Sequence, residues 1–371
     1  MSTLRQQIQK DDQKFKADNK SSFKMPVYNP KKHYRHLTNQ LYFKALLTLR
    51  HYIKIASDDY FGNKLNAKNV DLFMFTPSVS SPTGSGSNSE PIRIKFGKLE
   101  TNLVDSSQFG FEPLLLNGFD KVYCYLPSMR GEDSDNRHLN QFFHCEMEMI
   151  GDLNRLVPLI EGYVKILCKT ILSMKNIVEK ISENPQATKQ YLEVTIKAKM
   201  YPKITFDEAV EILIKNNKKD CINFTKKGRD ITSRGELELM KILKLKMPIW
   251  IMYYDRDRVP FYQKPKKDEP NKTINADLLF PAILKNSFGG EIIGCGQRQD
   301  KSGEMYKSLK RQNNISPVPY EWYIDLRRKN NYQTTSGFGL GVERFIAWSL
   351  GKSNIRDVIP YPRLKNIKTY P

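Results

Sequence analysis

The chain has 371 residues, a length typical of one large domain or two ordinary ones. Its 39% hydrophobic residues can form a core, and its net charge of +20 is typical of proteins that meet nucleic acid or nucleotide phosphates. No apolar run approaches the ~18 residues of a membrane span, and the polar N-terminus lacks the apolar run of a signal peptide, so we expect no membrane partner.

The cysteine, histidine and charge content further restricts the kind of protein that this chain can be. The five cysteines include no Cys-x-x-Cys pair and the five histidines show no ligand spacing, which disfavours a zinc site and predicts a reduced, cytoplasmic protein. The basic excess is uneven, since residues 1–55 hold 12 Lys and Arg against 3 Asp and Glu. Either a polyanionic partner or a generally lysine-rich surface would explain that excess.

The predicted elements begin with a basic arm over residues 1–36, which we expect to be mobile or loosely docked. Apolar residues recur at helical spacing over 37–55 and predict a long helix. Residues 71–77 predict a strand that ends at a proline. The Ser/Gly-rich stretch 78–90 is either a slack linker or a lid that orders over a substrate. Further strands are predicted at 92–96, 101–105 and 121–127.

The middle of the chain alternates between helical and strand patterns. Residues 156–181 predict an amphipathic helix whose apolar stripe indicates core or subunit packing. A helical insert is predicted over about 155–245, with one short helix at 205–213. Strand patterns return at 248–254, 275–281, 290–295 and 320–327. Strands on short links, with helices set apart, predict an α+β domain built on an antiparallel sheet.

Glycines at 337, 339 and 341 are the most informative feature near the C-terminus. Alternate glycines remove the side chains from one face of a strand, so that a flat ligand can lie against bare backbone. Glu343 and Arg344 would then stand at the start of the following helix. A packing strand or a flexible turn would give the same glycine spacing.

Two further motifs carry charges that suit a nucleotide. The stretch 129–142 predicts a strand, a charged loop and a strand, in which Arg130 offers a planar set of donors to a phosphate. Solvated charged surface is the alternative for such a hairpin. Asp277 and Glu291 are the two carboxylates that Mg²⁺ would need if they faced a triphosphate, and otherwise are unrelated acidic strand ends.

Residues 336–363 resemble motif 3 of the class II aminoacyl-tRNA synthetases, in the aspartyl/asparaginyl branch, and the charged hairpin resembles their motif 2. The resemblance implies a class II synthetase core over 37–371, an antiparallel β-sheet flanked by helices, without an N-terminal anticodon-binding barrel. It also implies a homodimer built through the first long helix and the strand that ends at Pro77.

The same resemblance implies an ATP site. Arg130 and Arg344 would be the catalytic arginines, with Arg130 on the α-phosphate. Asp277 and Glu291 would hold Mg²⁺. The remaining ATP contacts would be Glu132 beside the adenine, His138 on the outer phosphates and Phe142 stacked on the adenine.

An amino-acid pocket is implied by residues 106–112, which resemble the Ser-Gly-Gln-Leu-x-x-Glu stretch of asparaginyl-tRNA synthetases. Phe111 stands where the aspartyl enzymes carry a lysine, which favours a neutral side-chain amide or a different pocket. The residues that would bind the amino acid are Gln108, Glu112, Glu146, Arg298 and Tyr323.

The sequence departs from the family's pattern at Gln141, which replaces a glutamate, and at Thr335, which replaces a histidine. The first functional hypothesis is ATP-dependent activation of asparagine or aspartate as an acyl-adenylate, with transfer to ammonia or another amine, as in archaeal-type asparagine synthetases. The alternative is asparaginyl-tRNA synthesis without an anticodon domain. A catalytically inactive, synthetase-like regulatory module is disfavoured because Arg130, Glu291 and Arg344 are all present.

Overall fold

The computed structural model describes residues 2–16, 22–82 and 90–370. The helices are α1 (Ser2–Gln13), α2 (His33–Asn39), α3 (Leu41–Asp58), α4 (Gln108–Leu116), α5 (Leu153–Ser173), α6 (Lys175–Ile181), α7 (Pro185–Lys197), α8 (Phe206–Lys215), α9 (Ser233–Ile242), α10 (Ser302–Arg311), α11 (Glu321–Asp325) and α12 (Val342–Ser349). The strands are β1 (Lys68–Asn69), β2 (Phe75–Thr76), β3 (Arg93–Phe96), β4 (Leu99–Leu103), β5 (Lys121–Met129), β6 (Gln141–Ile150), β7 (Lys203–Thr205), β8 (Ile222–Thr225), β9 (Gly228–Ile231), β10 (Ile249–Met252), β11 (Asn275–Phe280), β12 (Gly290–Gln297) and β13 (Thr335–Gly341). In these ranges no helix combines the length and the apolarity that a bilayer crossing requires.

An eight-stranded sheet in the order β1-β5-β6-β13-β12-β11-β10-β7 forms the centre of the fold. Neighbouring strands run antiparallel except at the two edges, where β1 pairs parallel with β5 and β7 pairs parallel with β10. The prediction of an α+β fold on an antiparallel sheet with flanking helices is therefore confirmed. The glycine strand β13 lies between β6 and β12, in the middle of the sheet.

Helices α3, α5 and α12 pack with one face of this sheet in a single hydrophobic cluster. The apolar stripe of α5 is fully buried, as at Ile160 and Leu167. Phe338 and Leu340 of β13 join the same cluster, because alternate side chains of a strand point to opposite faces. The glycines between them consequently face the other side of the sheet.

Three predicted elements differ from the structure. The predicted strand at 320–327 is instead the short helix α11, in which Tyr323 and Ile324 are buried, and Tyr320 is buried just before it. Short apolar runs do not distinguish a helix from a strand by periodicity alone. The predicted helix 156–181 is broken at Met174 into α5 and α6. The predicted strand 71–77 is reduced to β2.

The described part of the N-terminal arm is docked on the core, where we expected a mobile or loosely docked segment. Ile8 and Phe15 are buried among core residues. The Asp12 carboxylate accepts hydrogen bonds from the backbone N–H groups of Asn176 and Ile177 at 3.0 and 2.9 Å, so it caps the start of α6. A few apolar residues along an otherwise polar segment are enough to anchor it.

The insert is smaller and less helical than predicted. Helix α5 belongs to the core, whereas α8, α9 and the β8–β9 hairpin form a unit with its own cluster around Phe206, Leu213 and Leu239. A network of charges joins this unit to the sheet. In it Asp255 accepts hydrogen bonds from Arg229 and from Lys272, at 2.8 and 2.7 Å. The insert is therefore fixed beside the strands that carry the candidate site. Residues 83–89 of the predicted Ser/Gly-rich lid lie outside the described residues.

Candidate active site

A cavity of about 260 Å³ lies over the bare face of β13, lined by Gly337, Gly339 and Gly341. Strand pairing places Gly337 opposite Glu148 of β6, and the Glu148 side chain crosses over it. A Cβ at position 337 would lie 1.8 Å from Glu148 Oε2, so only glycine leaves room for that carboxylate. The glycine strand thus forms the floor of the cavity, as the alternation predicted.

Most of the predicted site residues meet in this cavity. Its lining includes Gln108, Arg130, Glu132, His138, Phe142, Glu146, Asp277, Glu291, Arg298 and Arg344. Glu112 and Tyr323, which the resemblance placed in the amino-acid pocket, are not part of the lining. The roles of the lining residues remain predictions, but the structure brings these residues from α4, the loop after β5, β6, β11, β12 and α12 to one cavity.

At one end of the cavity, the Arg130 guanidinium lies 5.3 Å from the centre of the Phe142 ring. The Arg130 Nε is buried without a hydrogen-bond partner in the described part of the chain. The loop after β5 is held by Asn140, whose Nδ2 donates to the carbonyls of Arg130 and Glu132 at 2.8 and 2.7 Å. His138 Nδ1 lies 2.9 Å from Asp135 Oδ1, which fixes the imidazole at the rim.

At the middle of the cavity, Arg344 donates to Glu291 Oε2 at 3.1 Å from the first turn of α12. A Cβ built on Gly294 would lie 3.3 Å from Asp277 Oδ1 and 3.5 Å from Glu291 Oε1, so the two carboxylates flank one point. Burial, reinforced by the charge of Glu291, raises the pKa of Asp277 well above its usual range. Although burial raises it, the charge of Arg344 brings the pKa of Glu291 below its ordinary value.

These two carboxylates fit a magnesium ion that is shared with a ligand. Across the described ranges, no group of three His, Cys, Asp or Glu residues could hold a metal by itself. Mg²⁺ does not require such a group, because it usually takes one or two carboxylates and completes its shell with phosphate and water oxygens.

At the other end of the cavity, Arg298 is paired with Glu148, from Nε to Oε1 at 2.9 Å and from Nη2 to Oε2 at 2.8 Å. Arg298 Nη2 also donates to Gln108 Oε1. The Gln108 Nε2 donor is buried and has no partner within the described residues. Glu146 accepts from Ser106 Oγ at 2.5 Å and from the backbone N–H of Ser107 at 2.8 Å. The end wall therefore offers a neutralised arginine and an unsatisfied amide donor.

Glu112 and Tyr323 lie behind this wall rather than in it. Glu112 forms an ion pair with Arg327, in which Oε2 of Glu112 lies 2.6 Å from Nη1 of Arg327, and both side chains are fully buried. The Tyr323 hydroxyl donates to Glu112 Oε1 at 2.9 Å. Their polar atoms contact one another and Arg327, and their contact with the amino acid stays a prediction.

Three residues that contact the site were absent from the predicted set, and two of them, His144 and Glu236, line the cavity itself. Glu148 follows Glu146 by two positions on β6 and so shares its face, a signal that strand periodicity could have supplied. His144 lies on the same face with its Nδ1 2.9 Å from Ser128 Oγ, and burial lowers its pKa well below its usual range. Glu236 comes from α9 of the insert and its Oε2 accepts from the Glu291 backbone N–H at 3.0 Å. No local sequence signal points to Glu236.

Comparison with known proteins gives consistent results. The family described as tRNA synthetases class II (D, K and N) matches residues 28–365. The asparagine–tRNA ligase of Borreliella burgdorferi is 34% identical over 89% of this chain and 72% of its own length, and that of Mycoplasma genitalium is 31% identical over 86% and 69%. The solved asparaginyl-tRNA synthetase of Pyrococcus horikoshii, complexed with asparaginyl-adenylate, superimposes with a TM-score of 0.79 at 26% identity, covering 94% of this chain and 76% of that one.

Proposed function

Because this chain belongs to the class II tRNA synthetases of the aspartate, lysine and asparagine group, and is an ATP-dependent ligase of asparaginyl type, we propose that it activates asparagine and transfers it to tRNA. Two relatives, from Borreliella burgdorferi and Mycoplasma genitalium, are asparagine–tRNA ligases. The ammonia acceptor of our first hypothesis receives no support from them, so the alternative hypothesis is the better one.

The Arg298–Glu148 pair is the observation that carries the choice of asparagine. The side-chain carboxylate of aspartate would need a cation to balance its charge. Arg298 is already neutralised by both oxygens of Glu148, at 2.8 and 2.9 Å. Phe111, at the position where a lysine would serve aspartate, is buried and apolar. A neutral side-chain amide can use the acceptor and donor groups of this wall without adding an uncompensated charge.

The ATP end of the cavity supports formation of an adenylate. A carboxyl oxygen of the amino acid would attack the α-phosphorus, forming the acyl–phosphate bond as the bond to pyrophosphate breaks. Arg130 and Arg344 would balance the charge that develops on the phosphoryl oxygens, a contribution of about 3 kcal/mol for each such donor. Phe142 would stack on the adenine. Asp277 and Glu291 would hold Mg²⁺, which supplies further charge neutralisation when it is bound.

Transfer completes the proposed reaction. A ribose hydroxyl at the 3′ end of the tRNA would attack the acyl carbon, forming an ester as the bond to AMP breaks. Neither step requires a covalent link to the protein, so the site would act through alignment and charge balance.

The test is AMP formation and product analysis with asparagine or aspartate, each offered with total tRNA or with ammonia. We expect AMP release and acid-precipitable asparaginyl-tRNA with asparagine and tRNA only. Free asparagine formed from aspartate and ammonia would instead restore our first hypothesis. If neither amino acid raises pyrophosphate release above background, the result would favour the inactive module.

We also propose that the protein is a homodimer built through β2 and α3. Phe75 of β2 and Phe96 of β3 are 47% and 65% exposed, and their rings lie 5.7 Å apart on the three-stranded β2-β4-β3 sheet. An exposed aromatic pair of this kind suits a protein–protein interface. Sedimentation velocity of the parent and of Phe75→Ser should give a dimer and a weakened dimer respectively, and a monomeric parent would contradict the proposal.

A further inference from the structure

The β8–β9 hairpin of the insert and the turn before it carry a basic surface, exposed except at the half-buried Lys227, that the proposed chemistry does not use. We define the hairpin surface as Lys219, Phe224, Lys226 and Lys227. Phe224 is 54% exposed, which is unusual for a phenylalanine outside an interface. The Lys219 ammonium lies 5.8 Å from the centre of its ring, so aromatic and cationic groups are adjacent. Lys226 and Lys227 form the two-residue turn of the hairpin.

The charges of the hairpin surface are not balanced locally. Throughout the described ranges, no carboxylate forms an ion pair with its three lysines, although Lys227 donates a hydrogen bond to Asn313 Oδ1. The acidic residues nearby are committed elsewhere, since Asp220 pairs with Arg234 at 3.0 Å and Glu238 pairs with Lys218 at 2.9 Å. Three uncompensated cations beside an exposed ring are the components of a nucleic-acid contact surface.

The hairpin surface also lies close to the cavity. Asp230 and Ile231, at the far end of β9, line the cavity, and the turn lies at the other end of the same strand. Asp230 lies three residue steps of extended chain from Lys227, which corresponds to about 10 Å. An RNA whose 3′ end entered the cavity would therefore have its adjoining nucleotides within reach of the turn.

We propose that the hairpin surface binds the end of the tRNA acceptor stem, an inference that rests on the proposed function. The three lysines contact phosphates of the stem, and Phe224 stacks on an unpaired base that leads to the 3′ end. Phosphate contacts release counterions, so binding through these lysines is salt-dependent, and stacking on Phe224 is tolerant of base identity.

The first experiment measures direct binding of tRNA to the full chain and to the variant Lys219→Ala/Lys226→Ala/Lys227→Ala, over a range of salt concentrations. We expect the triple variant to bind about 10-fold more weakly or worse, and the slope of log K against log salt to fall by about 2 to 3, because each lost phosphate contact contributes ~0.7–0.9. Phe224→Ala should weaken binding without changing that slope.

A matched control removes the same amount of charge elsewhere. Lys175, Lys189 and Lys197 are exposed on α6 and α7, which contribute no residue to the cavity. Their triple alanine variant should retain parent tRNA affinity. Asparagine-dependent ATP–pyrophosphate exchange should be unchanged in both triple variants, because neither set touches the cavity.

Each outcome separates the two proposals. Equal tRNA binding by the hairpin variant, the control and the parent would overturn the hairpin inference, as would a parent that binds no tRNA. A parent that binds tRNA through the hairpin but transfers no amino acid to it would support the inference and overturn the proposed function.

Discussion

Gly337→Ala is the sharpest test of how the cavity floor is built. The added Cβ would lie 1.8 Å from Glu148 Oε2 and 2.6 Å from the backbone carbonyl oxygen of Met147. Carbon and oxygen atoms in ordinary contact are separated by roughly 3.5 Å, so the Glu148 carboxylate would have to move by about 1.7 Å. The Glu148 side chain must therefore move, and the approach to the Met147 carbonyl also strains the pairing of β6 with β13.

Moving Glu148 breaks both of its hydrogen bonds to Arg298, at 2.9 and 2.8 Å. Separating a buried ion pair while leaving one charge in place costs about 3–5 kcal/mol. We therefore expect Gly337→Ala to lower the free energy of unfolding by an amount of that order. The midpoint of thermal unfolding should fall by roughly 6–10 °C, at about 2 °C for each kcal/mol.

The assay combines thermal unfolding with asparagine-dependent ATP–pyrophosphate exchange. We expect kcat/KM for asparagine to fall by about 100-fold or more, since about 3 kcal/mol corresponds to that factor. Gly339→Ala is the matched control, because its Cβ would meet nothing nearer than Glu146 Oε1 at 3.5 Å. That variant should unfold within about 1 kcal/mol of the parent. Parent-like stability and exchange in Gly337→Ala would refute the close approach of Glu148 to β13.

Three further variants test other parts of the site. Arg344→Ala should abolish measurable pyrophosphate exchange while unchanged circular dichroism shows an intact fold, and parent-like turnover would contradict the assignment. Asn140→Ala should raise the KM for ATP by about 10-fold with a smaller change in kcat, because it frees the two carbonyls that Asn140 holds at 2.7 and 2.8 Å; an unchanged KM would count against this role. Burial raises the pKa of Asp255, but hydrogen bonds from Arg229 and Lys272 outweigh burial and lower that pKa from 3.8 to about 2. The ionised carboxylate therefore stabilises the fold above about pH 4, and this contribution is lost as the pH falls through 2. Urea unfolding of Asp255→Asn should show a loss of at least about 1 kcal/mol at pH 7, allowing for solvent screening, that shrinks between pH 4 and pH 2; a pH-independent loss would refute the linkage.

The parts of the site that the sequence predicted are those whose signal is local. The glycine alternation of β13 and the turn into α12 occupy one continuous stretch, so period and residue type suffice to place Arg344 at the start of the helix. The hairpin of β5 and β6 is likewise two adjoining strands. The contacts of Glu236 could not be predicted, because α9 meets β12 across a chain separation of 55 residues.

Long-range contacts decide where the predicted side chains lie relative to the cavity. Glu112 occurs in a motif that resembles an amino-acid pocket, yet Arg327 and Tyr323 approach it from more than 200 residues away and occupy its oxygens. A motif gives the position of a carboxylate in the chain, whereas the chemical role of that carboxylate depends on which sequence-distant residues contact it in the folded protein. The same reasoning explains α11, whose apolar residues are buried by a cluster that includes Phe109 and Phe261.

The pairing of Arg344 with Glu291 leads to a final prediction about the order of binding. Arg344 donates to Glu291 Oε2 at 3.1 Å, so it can turn to a phosphate only when Glu291 gains another cation. Arg130, whose buried Nε has no partner among the described residues, can accept a phosphate at once. We therefore expect ATP and Mg²⁺ to bind cooperatively, each raising the affinity of the other by the same factor. Isothermal titration should show this coupling in the parent and a much smaller one in Glu291→Gln, whereas equal coupling in the two proteins would show that Glu291 does not link the metal to Arg344.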